Sequence, residues 1–249
     1  MAEAYADHFS TTAGDYERYR PHYPDTLFDT LCAGLARREL AWDCASGNGQ
    51  AVAGLVARFP AVVASDASFA QLSRVPPGAA VRRVVALAAR APLADASADL
   101  LTVAQALHWF AGEPFYAEAR RVLRPGGRIA AWTYGLCRVA PAVDAIVDTL
   151  YHDIVGRWWP FERRWVESGY ADLPWPFAHT RRFVERMSAE WTADHLLAYL
   201  GTWSAVTAYR RDRGTDPLAA VAPALRAAWS DAKAREVSWP LNVMVADLD

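Results

Sequence analysis

The sequence predicts an α/β protein built on a parallel sheet covered on both faces, and three observations carry that expectation. Apolar runs of strand length alternate with helix-length segments across the first 135 residues, which is the texture of repeated strand–helix units. At 249 residues, 53 % apolar and 22 % charged, the chain is long enough to bury about 70–75 % of its unfolded surface without staples. A glycine turn, Gly47-Asn-Gly49, follows the first apolar run and opens a helical segment. Glycines belong there when a ligand must approach the backbone at a strand's C-terminal end.

Taken in order, strands are expected at Leu40 to Cys44, Ala61 to Ser65, Val81 to Ala86, Asp99 to Ala104 and Arg128 to Thr133. Helices are expected between them from about Pro24 to Arg37, Gly49 to Arg58, Ser68 to Leu72 and Glu113 to Leu123. Pro125-Gly126-Gly127 then makes a sharp turn into the fifth strand. After Gly135 the texture changes. A helical stretch from Ala140 to Val155 leads into an aromatic- and Arg-rich segment, Arg157 to Phe177, that fits neither period and reads as a lobe or lid. A strand from Thr180 to Met187, helices at Ala189 to Arg211 and Pro217 to Ala234, and a last, antiparallel strand from Glu236 to Leu248 complete the reading. Residues 1–135 are thus expected to form the core, 136–235 a helical lobe inserted in it, and 236–249 the strand that returns to the sheet.

Composition narrows the function classes. Twenty-six basic residues against 28 acidic ones give a formal charge of −2, so no net positive field awaits a polyphosphate and nucleic acid is not an expected partner. Lys233 is the one lysine among those cations, and the arginines are scattered rather than gathered into a patch. Cys32, Cys44 and Cys137 form neither a disulfide framework nor a metal-ligand spacing, so no metal is expected and a reducing compartment is. MAEAYADHFS has no basic and apolar leader, and no run reaches the roughly 18 apolar residues of a membrane span. A cytoplasmic chain without membrane contact is the expectation.

The motifs point to a nucleoside-bearing ligand. Asp43 sits near the end of the first strand, before Gly47 and Gly49, and Asp66 ends the second. A carboxylate at that second place can accept hydrogen bonds from both hydroxyls of a ribose. Asp66-Ala67-Ser68 can equally cap the next helix, and Asp43 can tie down the turn's own amides. A dinucleotide fold would require glycine at position 52, where Val52 stands, which disfavours a nicotinamide-dependent oxidoreductase.

At this point the chain resembles the class I S-adenosylmethionine-dependent methyltransferases, specifically the type-11 domain family and its trans-aconitate methyltransferase-like group. The family's acidic and glycine-rich signature corresponds to Asp43-Cys-Ala45-Ser-Gly47-Asn-Gly49, and its acid after the second strand to Asp66. APLADASADLLTVAQALHWF and RVLRPGGRIAAWTYG are similar to its later segments. The resemblance implies a Rossmann-like fold with a seven-stranded, mostly parallel sheet whose last strand is antiparallel. It implies S-adenosylmethionine as cofactor, with contacts from Tyr16, Arg20, Asp43, Ala45, Gly47, Gly49, Asp66, Ala67, Ala89 and Gln105. Ala45 replaces the first signature glycine, a substitution that fits if its φ is negative. Ala89 stands where the family often carries an acid, and Asn48 where it usually has Thr.

Methyl transfer from a sulfonium is an in-line displacement, so the protein's main task is to align nucleophile and methyl at about 3–3.5 Å and to exclude water. A carboxylate acceptor is ionised at neutral pH and needs no base, whereas a phenol needs one nearby. His108, with Trp109 beside it just past the fourth strand, is the candidate to orient an acidic substrate or take a proton. Loop fixation is its alternative role. Gln105-Ala-Leu-His108 is not the Asn/Asp-Pro-Pro-aromatic turn of base-modifying enzymes. Upstream, Tyr16, Arg20 and Tyr23 resemble the family's helix over the cofactor. In the lobe, Trp159, Arg163, Arg164 and Tyr170, with Trp203 further on, offer aromatic walls and planar cations suited to a small carboxylic acid, or else simply a lobe core. The reading is O-methylation of a small-molecule carboxylate. Its rivals are methylation of a phenol, amine or natural-product ring with His108 as base, and a non-catalytic scaffold.

Overall fold

A computed structural model describes residues 19–249; Tyr16 lies outside them. Seven strands form one sheet: β1 (Leu40–Cys44), β2 (Ala61–Asp66), β3 (Val81–Val85), β4 (Ala98–Ala104), β5 (Leu123–Tyr134), β6 (Arg181–Trp191) and β7 (Arg235–Asp247), in the order β3-β2-β1-β4-β5-β7-β6. β1 to β5 pair in parallel, while β7 runs antiparallel to both β5 and β6. The expected architecture is therefore the observed one. β1, β2 and β4 are buried almost throughout, which is why they read as continuous apolar runs rather than alternating ones. Winding reverses between β1 and β4, and the crevice outside their C-terminal ends is where an open α/β sheet takes ligands.

The helices are shorter than the sequence suggested, for local reasons. α1 (Asp25–Cys32) stops where Ala33 turns extended and Gly34 takes φ +77°. α2 (Val52–Val56) begins three residues late because Gly49 sits at φ +87° in the preceding turn. α3 (Phe69–Leu72) is capped by the Ser68 hydroxyl, which accepts from the Gln71 amide. α4 (Glu113–Val122) lies before β5, and Pro125-Gly126-Gly127 proves to be a bulge within β5: Ala98 pairs with Leu123 and Leu100 with Arg128.

The stretch expected as a helical lobe also contains β6. The helix expected from Ala189 to Arg211 yields its first three residues to that strand. It then breaks into α7 (Ala193–Gly201) and α8 (Ser204–Arg213), because Trp203 between them is extended. Before β6, α5 (Pro141–Thr149) widens into a π-turn at Leu150–Ile154, and α6 (Arg163–Glu167) is a five-residue helix. α9 (Ala222–Trp229) leads to β7.

Two apolar cores flank the sheet. One joins α1 and α2 to Trp132 and Tyr134 of β5 and continues without a break into Val143, Val147, Leu200 and Trp229. The other packs Trp42, Leu101, Phe115 and Ile129 with Val166, Tyr170 and Leu173. The chain between β5 and β6 thus contributes to both faces and closes over the sheet's edge in passing from one to the other. Among the described residues no helix is long and apolar enough to cross a membrane, and the three cysteines are buried and free.

Candidate functional site

The crevice has two parts. The first is the Asp43–Gln50 segment at the end of β1. Asp43 is 1 % exposed, and its Oδ1 accepts from the Thr102 hydroxyl at 2.7 Å. Burial raises its carboxyl to about 6 against that hydrogen bond. Ala45, Gly47 and Gly49 all have positive φ, at +54°, +56° and +87°. The negative φ expected of Ala45 is therefore corrected: the residue takes the left-handed conformation of the glycine it replaces, at a cost of about 1 kcal/mol. The two glycines serve different ends. A Cβ on Gly47 would meet nothing within 4 Å, so its space is open to a ligand, whereas one on Gly49 would meet Val75 Cγ1 at 3.0 Å. Gly49 is there for the scaffold.

This segment fits S-adenosylmethionine by an independent criterion. Asp43 Oδ2, Ser46 Oγ, Asn48 Nδ2 and Gln50 Nε2 are buried without a hydrogen-bond partner, a concentration that native proteins avoid unless something else supplies the partners. An acceptor and several donors side by side match an ammonium and a carboxylate. Asp66 is already engaged: Oδ2 accepts from the Gly47 amide and Oδ1 from the Ser68 amide, each at 2.8 Å. It ties the turn after β1 to Ser68, the residue that caps α3, while a carboxylate has about four acceptor sites. Ala67 is half-buried beside it, and Ala89 lies in an exposed turn between Leu87 and Arg90. Three side chains not singled out from sequence, Phe69, Val85 and Leu87, stand exposed at this end of β2 and β3 at 74 %, 54 % and 56 %; Val85 pairs with Asp66 in the sheet. Apolar residues exposed at strand ends are visible only once burial is known.

The second part is a small cavity, about 50 Å³, at the ends of β4 and β5. Arg20, Gln105, His108, Trp109, Trp159, Arg163 and Trp203 line it, joined by Tyr134 and Tyr199. Seven sequence candidates therefore converge. Gln105, at φ +53°, is committed to the scaffold: its Oε1 accepts from the Thr133 hydroxyl and the Tyr134 amide, and its Nε2 donates to the Tyr134 carbonyl at 3.0 Å. Its carboxamide clamps β4 to β5 rather than reaching for a cofactor. Arg20 donates to the Tyr134 hydroxyl at 3.3 Å and lies over the Tyr199 ring.

Arg163 is held from three sides. Its guanidinium lies 4.5 Å from the Trp159 ring centre and 5.3 Å from that of Tyr151. Nε donates to the Tyr151 hydroxyl at 2.8 Å, which donates in turn to Glu167 at 2.6 Å. Arg163 makes no direct ion pair among the described residues. Two lobe candidates lie elsewhere. Arg164 stacks on Phe161 at 3.7 Å and faces an outer bowl of about 390 Å³ that shares Trp159 and Arg163 as its wall with the cavity. Tyr170 is fully buried behind His108 and does not line the cavity. His108 is 8 % exposed; burial, and then the Arg163 charge, hold its ring down to about 3, so it is neutral at physiological pH.

With this geometry in hand, comparisons with known proteins agree on one class. A family model described as a methyltransferase domain matches residues 42–131. A solved structure described as a type II methyltransferase of Anaeromyxobacter dehalogenans is 47 % identical, covers 92 % of this chain and 98 % of its own, and superimposes with a TM-score of 0.85. A Dictyostelium discoideum protein described as a methyltransferase is 29 % identical over 248 residues, 96 % of this chain and 94 % of that one. A Mycobacterium tuberculosis protein described as an uncharacterized methyltransferase is 42 % identical over 124 residues, 49 % of each chain.

Proposed function

The chain belongs to the class I S-adenosylmethionine-dependent methyltransferases, and on that premise we propose that it methylates a carboxylate oxygen of a small molecule held in the cavity beside His108. S-adenosylmethionine is its cofactor and, when bound, supplies a methyl group carried on a sulfonium. Asp43 and the unpartnered polar atoms of Ser46, Asn48 and Gln50 would hold the amino-acid end. Asp66 would hold the ribose, and the apolar surface of Phe69, Val85 and Leu87 would lie against the flat base.

Arg163 carries the acceptor assignment. A guanidinium fixed between aromatic rings at a cavity wall, joined to Glu167 through the Tyr151 hydroxyl rather than by a direct ion pair, is prepared for a planar anion. Arg20 lines the same cavity. An acceptor of this charge is ionised at neutral pH and needs no proton removed, so these residues need only bind it, orient it and keep water out. The likeness to the trans-aconitate methyltransferase-like group supports the same acceptor class. A phenol or amine acceptor would require His108 as base, and a ring held near 3 is a poor base at pH 7. Free, buried cysteines support a reducing, cytoplasmic setting.

The test is methyl transfer from methyl-labelled S-adenosylmethionine to a panel of small mono- and dicarboxylates, phenols and amines. Label in a base-labile ester from the carboxylates is the expected outcome. Transfer to phenols or amines alone would overturn the reading.

A further inference from the structure

His108 reaches the cavity with one ring nitrogen already engaged. Its Nδ1 lies 2.8 Å from the Tyr170 hydroxyl. Tyr170 is fully buried, so its hydroxyl proton needs an acceptor inside the protein. The neighbouring Thr133 hydroxyl donates its own proton to Gln105 Oε1. Were Nδ1 to carry the bridging proton, the phenolic proton would have to find an acceptor elsewhere; with Nδ1 bare, the ring it already meets is that acceptor.

We infer that Tyr170 is a positioning residue: by donating to His108 Nδ1 it fixes the imidazole with its proton on Nε2, so that the cavity receives a neutral N–H donor aimed at an oxygen of the acceptor. The inference rests on the reading of this cavity as the acceptor site, and it gives His108 an orienting rather than a proton-accepting part. The backbone is bent to make the contact. Gly169 and Tyr170 take φ of +60° and +65° in succession, and left-handed geometry at a bulky side chain persists only where surrounding structure enforces it. Here the Tyr170 amide bonds back to the Trp165 carbonyl at 2.7 Å, closing the end of α6, and a Cβ on Gly169 would meet Asn242 Cγ at 2.7 Å. The same short segment carries Arg163. Seating Tyr170 beneath His108 therefore sets the acceptor's cation and its hydrogen-bond donor with one anchor. Because His108 stays neutral, its tautomer has one answer across the physiological range.

The experiment is long-range 1H–15N correlation spectroscopy on the 15N-labelled full chain without acceptor, from pH 5 to 8, with His108→Gln to assign the ring. The expected result is an unprotonated Nδ1, a protonated Nε2 and no titration. A slowly exchanging proton between the two side chains should show no one-bond coupling to nitrogen, which marks it as phenolic. Tyr170→Phe should abolish that proton, turn the single tautomer into a mixture and bring a titration into the window. A bridging proton with one-bond coupling to Nδ1, or a bare Nε2, would overturn the inference. Should Tyr170→Phe not fold, the wild-type spectrum decides alone. The spectrum is recorded without acceptor, so carboxylates that fail to accept methyl leave it unchanged, and an inverted tautomer leaves methyl transfer to carboxylates standing.

Discussion

Between Asp43 and Gln50 the crevice is shaped by main chain, with three residues in left-handed conformations around one buried carboxylate. Between Trp159 and Tyr170 it is shaped by side chains: a cation held between rings, and a histidine pinned by a phenol. On the proposed function, the contrast follows from what each part binds. A ligand common to the whole family can be met by amides, whose placement depends on φ more than on residue identity. An acceptor peculiar to one enzyme has to be met by side chains of particular charge and shape.

The sharpest way to break this contrast is at Gly49. Gly49→Ala combines φ +87° with a 3.0 Å approach to Val75, and should cost about 2–3 kcal/mol of stability in denaturant unfolding. A neutral result would mean that main-chain geometry does not set this half. On the other side, Arg163→Gln should raise the acceptor KM roughly 10–100-fold, as expected for hydrogen bonds to a charged group. The Kd for S-adenosylmethionine should stay unchanged. Equal losses in both constants would dissolve the division between the halves.

Proton linkage separates them again. The Asp43 carboxyl is raised from 3.8 to about 6 in the folded chain, so the folded state holds that proton more tightly than the unfolded one. Its contribution to stability declines as pH rises through that window. An ammonium needs the ionised form, so cofactor affinity should fall about tenfold per pH unit below about 6, and Asp43→Asn should flatten the dependence. Titration calorimetry across pH 5–8 checks this. His108 is shifted the other way, from 6.5 to about 3. The unfolded chain takes up that proton first, so its contribution is intact above about 6.5 and is lost as pH falls. The smallest effect belongs to Ala45→Gly, which should relieve φ +54° and stabilise the chain by about 1 kcal/mol.

The main-chain half was largely legible in the sequence. Asp43, Gly47, Gly49 and Asp66 lie within a strand–turn–helix–strand run whose local order fixes their relative placement, and β1, β2 and β4 fell within a residue of expectation. The side-chain half was legible only as a list of residue types. Arg163 and Arg164 are neighbours on a five-residue helix, too short for any periodicity to say which faces inward. The partnership of Tyr170 with His108 spans 62 positions, and nothing in either local sequence announces it. Trp203 was expected inside one long helix, yet burying its ring requires the break between α7 and α8.

β7 lies between β5 and β6, and Arg128 of β5 reaches 119 positions forward to Asp247. During synthesis β6 therefore emerges with no strand to pair with, and the lobe beyond β5 has no finished sheet edge to settle on. Only when residues 235–247 have left the ribosome can the gap between the two strands be filled. The cavity beside His108 is accordingly among the last parts of the molecule to mature, and on the proposed function a nascent chain should acquire cofactor binding before it acquires a place for the acceptor.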